Sequence, residues 1–146
     1  MFAPAAVSRT ASNAFASTYR QIGVETGVAN ASPHQLVTML FDGFFEAVAQ
    51  ARGAMQLGRQ IETKGRAIAR AVRIVDEGLK AALDVEAGGE LAGDLLALYA
   101  YVAMRLTQAN LHNDALALDE CVRLLEPVRS AWVAIGAGIA APTKAQ

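Results

Sequence analysis

One cysteine, Cys121, stands in 146 residues, so neither an internal disulfide framework nor a cysteine-based zinc cluster can be built. Two histidines, His34 and His112, lie far apart and neither belongs to a Glu-x-x-His step. Phosphate-cradling and dinucleotide-binding glycine patterns are missing as well. The acidic residues near the glycine turn, Asp84, Glu86, Glu90 and Asp94, are held at no defined separation. These absences exclude the common catalytic constellations, and no metal, cofactor or enzymatic activity is expected. A net charge of −1 argues against nonspecific polyanion binding. The arginines and lysine of residues 59–73 lack interleaved aromatics, so they read as a solvated face and no nucleic-acid partner is expected. No basic stretch followed by an apolar core opens the chain, which places it by expectation in the reducing cytoplasm.

With four prolines, few β-branched runs and 53% hydrophobic residues, the chain favours helices and has enough apolar material for one core. The segment around which it is organised is Leu91 to Asp114. From Leu91 to Leu111 only Asp94 and Arg105 are charged, which describes a helix apolar around most of its circumference. Leu91, Leu95, Leu98, Val102, Leu106 and Ala109 make one face; Leu96, Tyr99, Ala100 and Ala103 make a second strip beside it. Asp94, Tyr101, Arg105 and Gln108 form the solvent edge. That edge, with Gly93, makes the run a poor membrane span, and no stable membrane insertion is expected.

Residues 1–31 carry few charges and no sustained period, and are expected to form a mobile arm. Tyr19 and Ile22 could share one helical face there, or be incidental apolar residues. Ser32-Pro33-His34-Gln35 is a helix start: a serine cap, a proline at the first position and a glutamine able to complete a capping box. Val37, Leu40, Phe41, Phe44, Val48, Ala51 and Met55 then form a buried stripe ended by Gly58. A second helix is expected from Ile61 to Glu86, closed by Gly88-Gly89, with Ile68, Val72, Val75, Leu79 and Leu83 inward. A parallel line of mostly small residues, Ala67, Ala71, Ile74, Gly78, Ala81 and Val85, is either core or a shallow trough for a foreign helix. The last helix runs from Asn113-Asp114 to about Ile135, burying Leu118, Cys121, Val122, Leu125, Val128, Trp132 and Ile135, with Pro127 expected to kink it or split it after Leu125. Short linkers make this an all-α, antiparallel up-down four-helix bundle at 32–136, with a frayed tail at 137–146.

ASPHQLVTMLFDGFFEAVAQA from Ala31 to Ala51, Gly88-Gly89-Glu90, and LLALYAYVAMRLTQANLHND from Leu95 to Asp114 resemble the flagellin export chaperone family, FliS. Phe41 stands where the family's Met-Leu-Tyr-Asp-Gly step has tyrosine, and Trp132 supplies its late aromatic. The resemblance implies a cytoplasmic chaperone for the helix-forming C-terminal segment of flagellin, delivered to the flagellar export gate without ATP hydrolysis by the chaperone. The alternative is an adaptor of the same fold for another amphipathic helix, such as a flagellar regulator. It also implies that Tyr19 and Ile22 lie near the binding groove. With them, the expected partner-binding set is Ala67, Ala71, Ile74, Gly78 and Ala81 on the second helix and Leu96, Tyr99, Ala103, Leu106 and Asn110 on the third. Apolar surface left open without a client is expected to favour self-association.

Overall fold

The computed structural model describes residues 30–58 and 60–140. Four helical elements follow one another: α1 (Pro33–Leu57), α2 (Ile61–Arg73, continued by a π-helical stretch Ile74–Leu79), α3 (Val85–His112) and α4 (Ala115–Ala140). No strand occurs among the described residues. Each helix packs against its sequence neighbour, and α4 closes the ring against α1. Cross-helix ion pairs fix the alternation of direction. Asp42 near the start of α1 meets Arg129 late in α4 at 2.8 Å, and Arg52 meets Asp119 at 3.1 Å.

The start of α1 follows from local chemistry. Ser32 Oγ accepts from the Gln35 amide at 3.1 Å, and Gln35 Oε1 accepts from the Ser32 amide at 2.8 Å, so the capping box is complete. At the other end Gly58 takes φ 73°, and its amide reaches the Ala54 and Met55 carbonyls. Between them Val37, Leu40, Phe41, Phe44, Val48 and Ala51 are buried, and Met55 is partly so. Phe41 is within the core, where a ring without a hydroxyl needs no polar partner.

The second helix departs from expectation. It ends at Leu79 rather than Glu86, because Asp84 accepts from the Ala87 amide and starts α3. Gly88-Gly89 therefore interrupts α3 instead of joining two helices, and Gly89, at φ 59° and ψ −136°, carries the break. The last turns of α2 are wide, with the Lys80 amide bonding back to Val75 five residues earlier. Ile74, Val75, Gly78 and Leu79 are all buried as a result, so both apolar lines of this helix enter the core. Gly78 lies against Leu40, where a Cβ would stand 2.9 Å from both Leu40 methyls.

Helix α4 corrects two boundaries. It passes through Pro127 without splitting and continues to Ala140, four residues into the expected tail. Pro127 is exposed, and the Arg123 carbonyl that its missing amide would have engaged belongs to an exposed residue, where water can satisfy it. Asp114 caps the start by accepting from the Leu116 and Ala117 amides.

Trp132 ties α4 to the start of α1. Its indole stacks on the His34 ring at 4.6 Å between centroids and 9° between planes, and Nε1 donates to the His34 carbonyl at 3.1 Å. His34 Nε2 lies 2.6 Å from the Trp132 carbonyl, which can only accept, so the ring proton sits on Nε2.

At the opposite end Lys64 is the one charged side chain buried among the described residues. Its Nζ donates to the Asn110 carbonyl at 3.2 Å and to Asn113 Oδ1 at 3.0 Å, capping the last turn of α3. Lys64→Met keeps the stem but removes the donors. It should lower stability by about 2 kcal/mol, read as a lower urea midpoint at unchanged slope.

Candidate protein-binding surface

The third helix presents two different faces. Ala92, Leu95, Tyr99, Val102, Ala103, Leu106 and Ala109 are buried. Turned away from them, Leu96, Ala100, Met104 and Leu111 are exposed, at 36% for Leu96, 46% for Met104 and 76% for Leu111. At about 100° per residue these four fall within about 80° of one another, so they form one strip along the helix. Ala97, also exposed, lies at its margin. Small residues among larger ones give a shallow, uncharged surface on which a foreign helix can approach closely.

A polar network borders the strip on the α4 side. Tyr101 donates to Glu120 Oε2 at 2.7 Å, Arg105 Nε donates to Glu120 Oε1 at 2.7 Å, and the Arg105 guanidinium also reaches Gln108 Oε1 at 2.7 Å. The Tyr101 hydroxyl, and after it Arg105, hold the Glu120 carboxyl below its ordinary range. The solvent edge expected from the sequence is thus a fixed polar rail.

The expected binding residues do not come together as one surface. Ala67, Ala71, Ile74 and Gly78 are enclosed by the bundle, as are Tyr99, Ala103 and Leu106. They belong to the hydrophobic core, so they line no open trough. Ala81, Leu96 and Asn110 are exposed. Tyr19 and Ile22 lie outside the described residues. Leu91, expected on the buried face, is 46% exposed, because Gly89 breaks the helix just before it. Met104 and Leu111 were absent from the expected set. The sign that would have found them is an apolar residue recurring four places on from Ala100 and again seven places after that, away from the buried face.

Nothing in this surface supports bond-making chemistry. Cys121 is buried, its thiol donates to the Val102 carbonyl at 3.8 Å, and burial, with Glu120 adding, pushes its pKa up to about 12. Burial likewise raises the Tyr99 phenol. No group of His, Cys, Asp or Glu suited to a metal occurs among the described residues. The arginines of α2 are engaged with acids: Arg66 with Glu62, Arg70 with Glu46, Arg73 with Glu77. No described helix is long and apolar enough to cross a membrane.

A closed helical bundle with an apolar strip left on the outside of one helix is a protein-binding module. The profile of the family "Flagellar protein FliS" matches residues 15–138, and the chain belongs to this family of chaperones, which are not enzymes. It is 49% identical over 114 residues to the flagellar secretion chaperone FliS of Salmonella typhimurium, an alignment covering 78% of this chain and 84% of the relative. Flagellar secretion chaperone FliSB of Pseudomonas aeruginosa is 48% identical, at 78% and 89% coverage. FliS of Escherichia coli is 46% identical, at 78% and 83%.

Proposed function

We propose that this chaperone binds the C-terminal, helix-forming segment of flagellin in the cytoplasm, keeps it from polymerising early and delivers it to the flagellar type III export apparatus. The observation that supports this reading is the exposed strip Leu96, Ala100, Met104 and Leu111 on α3. An amphipathic segment that would otherwise pair with its own kind can lay its apolar side on such a strip, in the helix-in-groove manner. The small residues allow close approach, and the Tyr101–Glu120–Arg105 rail leaves a satisfied polar border where the segment's polar side meets water. Of the residues expected from the sequence, Leu96 remains in the proposed contact. Tyr19 and Ile22 stay part of the proposal through the family resemblance.

Calorimetry with a flagellin C-terminal peptide tests it. Binding should show a clearly negative heat-capacity change, because apolar area is buried while a segment is ordered. Salt should change the affinity little, since the strip carries no charge. Met104→Glu should weaken binding by about a hundredfold while leaving the melting curve unchanged, as the side chain is already exposed. Wild-type affinity in that variant would remove the strip as the client site. Failure of the peptide to bind, with capture of an amphipathic helix from a flagellar regulator instead, would favour the adaptor reading.

A further inference from the structure

Sulfur is the element of a protein most open to oxidation, and this chain places its sulfur atoms in unequal surroundings. Cys121 has no exposed surface and its thiol donates to the Val102 carbonyl; a buried, protonated thiol is inert. Met39 and Met55 are partly buried and packed against the core. Met104 differs from all three, because it is 46% exposed and lies within the apolar strip of α3, between Ala100 and Leu111. The most open of the described thioethers is therefore also part of the client surface. We propose that Met104 is a reversible oxidation site that switches off client loading, with a hydroperoxide as the oxidant. The inference rests on the client reading above and adds how that site is regulated.

The protein is the substrate in this step, not its catalyst. The thioether sulfur attacks one peroxide oxygen, the O–O bond breaks and a sulfur–oxygen bond forms. With hydrogen peroxide, the leaving hydroxide takes the proton from the transferred oxygen and departs as water, leaving a sulfoxide. Sulfur has given up two electrons to the peroxide. A thiol-dependent methionine sulfoxide reductase reverses the step: two thiols supply the electrons and become a disulfide, and the oxygen leaves as water. The effect on binding follows from where the sulfoxide lies. Its oxygen is a polar acceptor that water hydrates in the free chaperone, so the fold keeps its stability. Once a client's apolar side packs on the strip, that water is lost and no donor replaces it. Leu96, Ala100 and Leu111 carry no side-chain donor, while Tyr101 and Arg105 on the same helix are committed to Glu120 and Gln108. A client already bound covers the thioether and shields it. Oxidation thus stops the loading of empty chaperone and leaves the loaded one intact.

The test treats the full-length chain with hydrogen peroxide, maps oxygen addition by mass spectrometry of its proteolytic fragments, and follows affinity for the flagellin C-terminal peptide by calorimetry. Met104 should gain oxygen before Met39 and Met55, the melting curve should not move, and the oxidised chain should bind peptide about tenfold more weakly or worse. Methionine sulfoxide reductase with dithiothreitol should restore the affinity, and saturating peptide should slow oxygen addition at Met104. Met104→Leu should show the same affinity before and after peroxide. Unchanged affinity in wild type fully oxidised at Met104, or an equal loss in peroxide-treated Met104→Leu, overturns the inference. If Met104→Glu weakens binding and the sulfoxide does not, this inference falls and the client reading stands. If neither change weakens it, or the untreated chain binds no peptide, both fall.

Discussion

Ala71→Glu should leave the chain unfolded at room temperature, whereas Ala100→Glu should fold normally and lose its client. Both replace a small helical residue by the same acid, and both positions lie on apolar lines of the sequence. Ala71 has no exposed surface and belongs to the hydrophobic core. A carboxylate there is cut off from water, and an uncompensated buried charge costs several kcal/mol, comparable to the ~5–15 kcal/mol that holds a domain together. Ala100 faces outward, so its glutamate stays hydrated until a client's apolar side must pack on it. Far-UV circular dichroism with thermal melts separates the two, and peptide calorimetry on the folded variant completes the comparison. A folded Ala71→Glu with a normal melt would show that the core opens there, restoring the α2–α3 line as a client site.

Trp132→Ala should be the most damaging single truncation at the other end, at about 3–5 kcal/mol for a buried indole. It removes the packed ring, the stack on His34 and the bond to the His34 carbonyl together. Trp132→Phe keeps an aromatic face and loses that donor, so about 1 kcal/mol is expected. Gly136 belongs to the same unit, since a Cβ there would overlap the His34 ring. Gly136→Ala should therefore displace the imidazole and reproduce part of the Trp132→Ala loss. Urea midpoints should order the variants as wild type, Trp132→Phe, Gly136→Ala, Trp132→Ala. The same midpoint for Gly136→Ala as for wild type would mean that the His34–Trp132 pair does not anchor α4 to α1.

Local chemistry was enough for much of this molecule. The Ser32–Gln35 box, Gly58 and the Asp114 cap are agreements between neighbouring residues, and they mark the same helix limits whatever packs around them. The stripe of α1 and most of that of α4 were legible for a related reason: each helix has one dominant apolar line, which leaves one way to face the core. Family membership was readable from ordered motifs along the chain, which need no coordinates.

Tertiary structure alone decided the rest. Periodicity reports that a line of side chains is apolar; it does not report which neighbour covers it. On α2 two adjacent lines competed, and the wide turns at Ile74–Leu79 placed both inside, a register change that no 3.6-residue pattern contains. On α3 the strip beside the core divided, Tyr99 and Ala103 going in while Leu96 and Ala100 stayed out, a division that no periodicity contains. The chemistry of Pro127 predicts a kink or a split, yet the helix runs on through it without splitting, because on its exposed side of α4 the lost hydrogen bond is inexpensive.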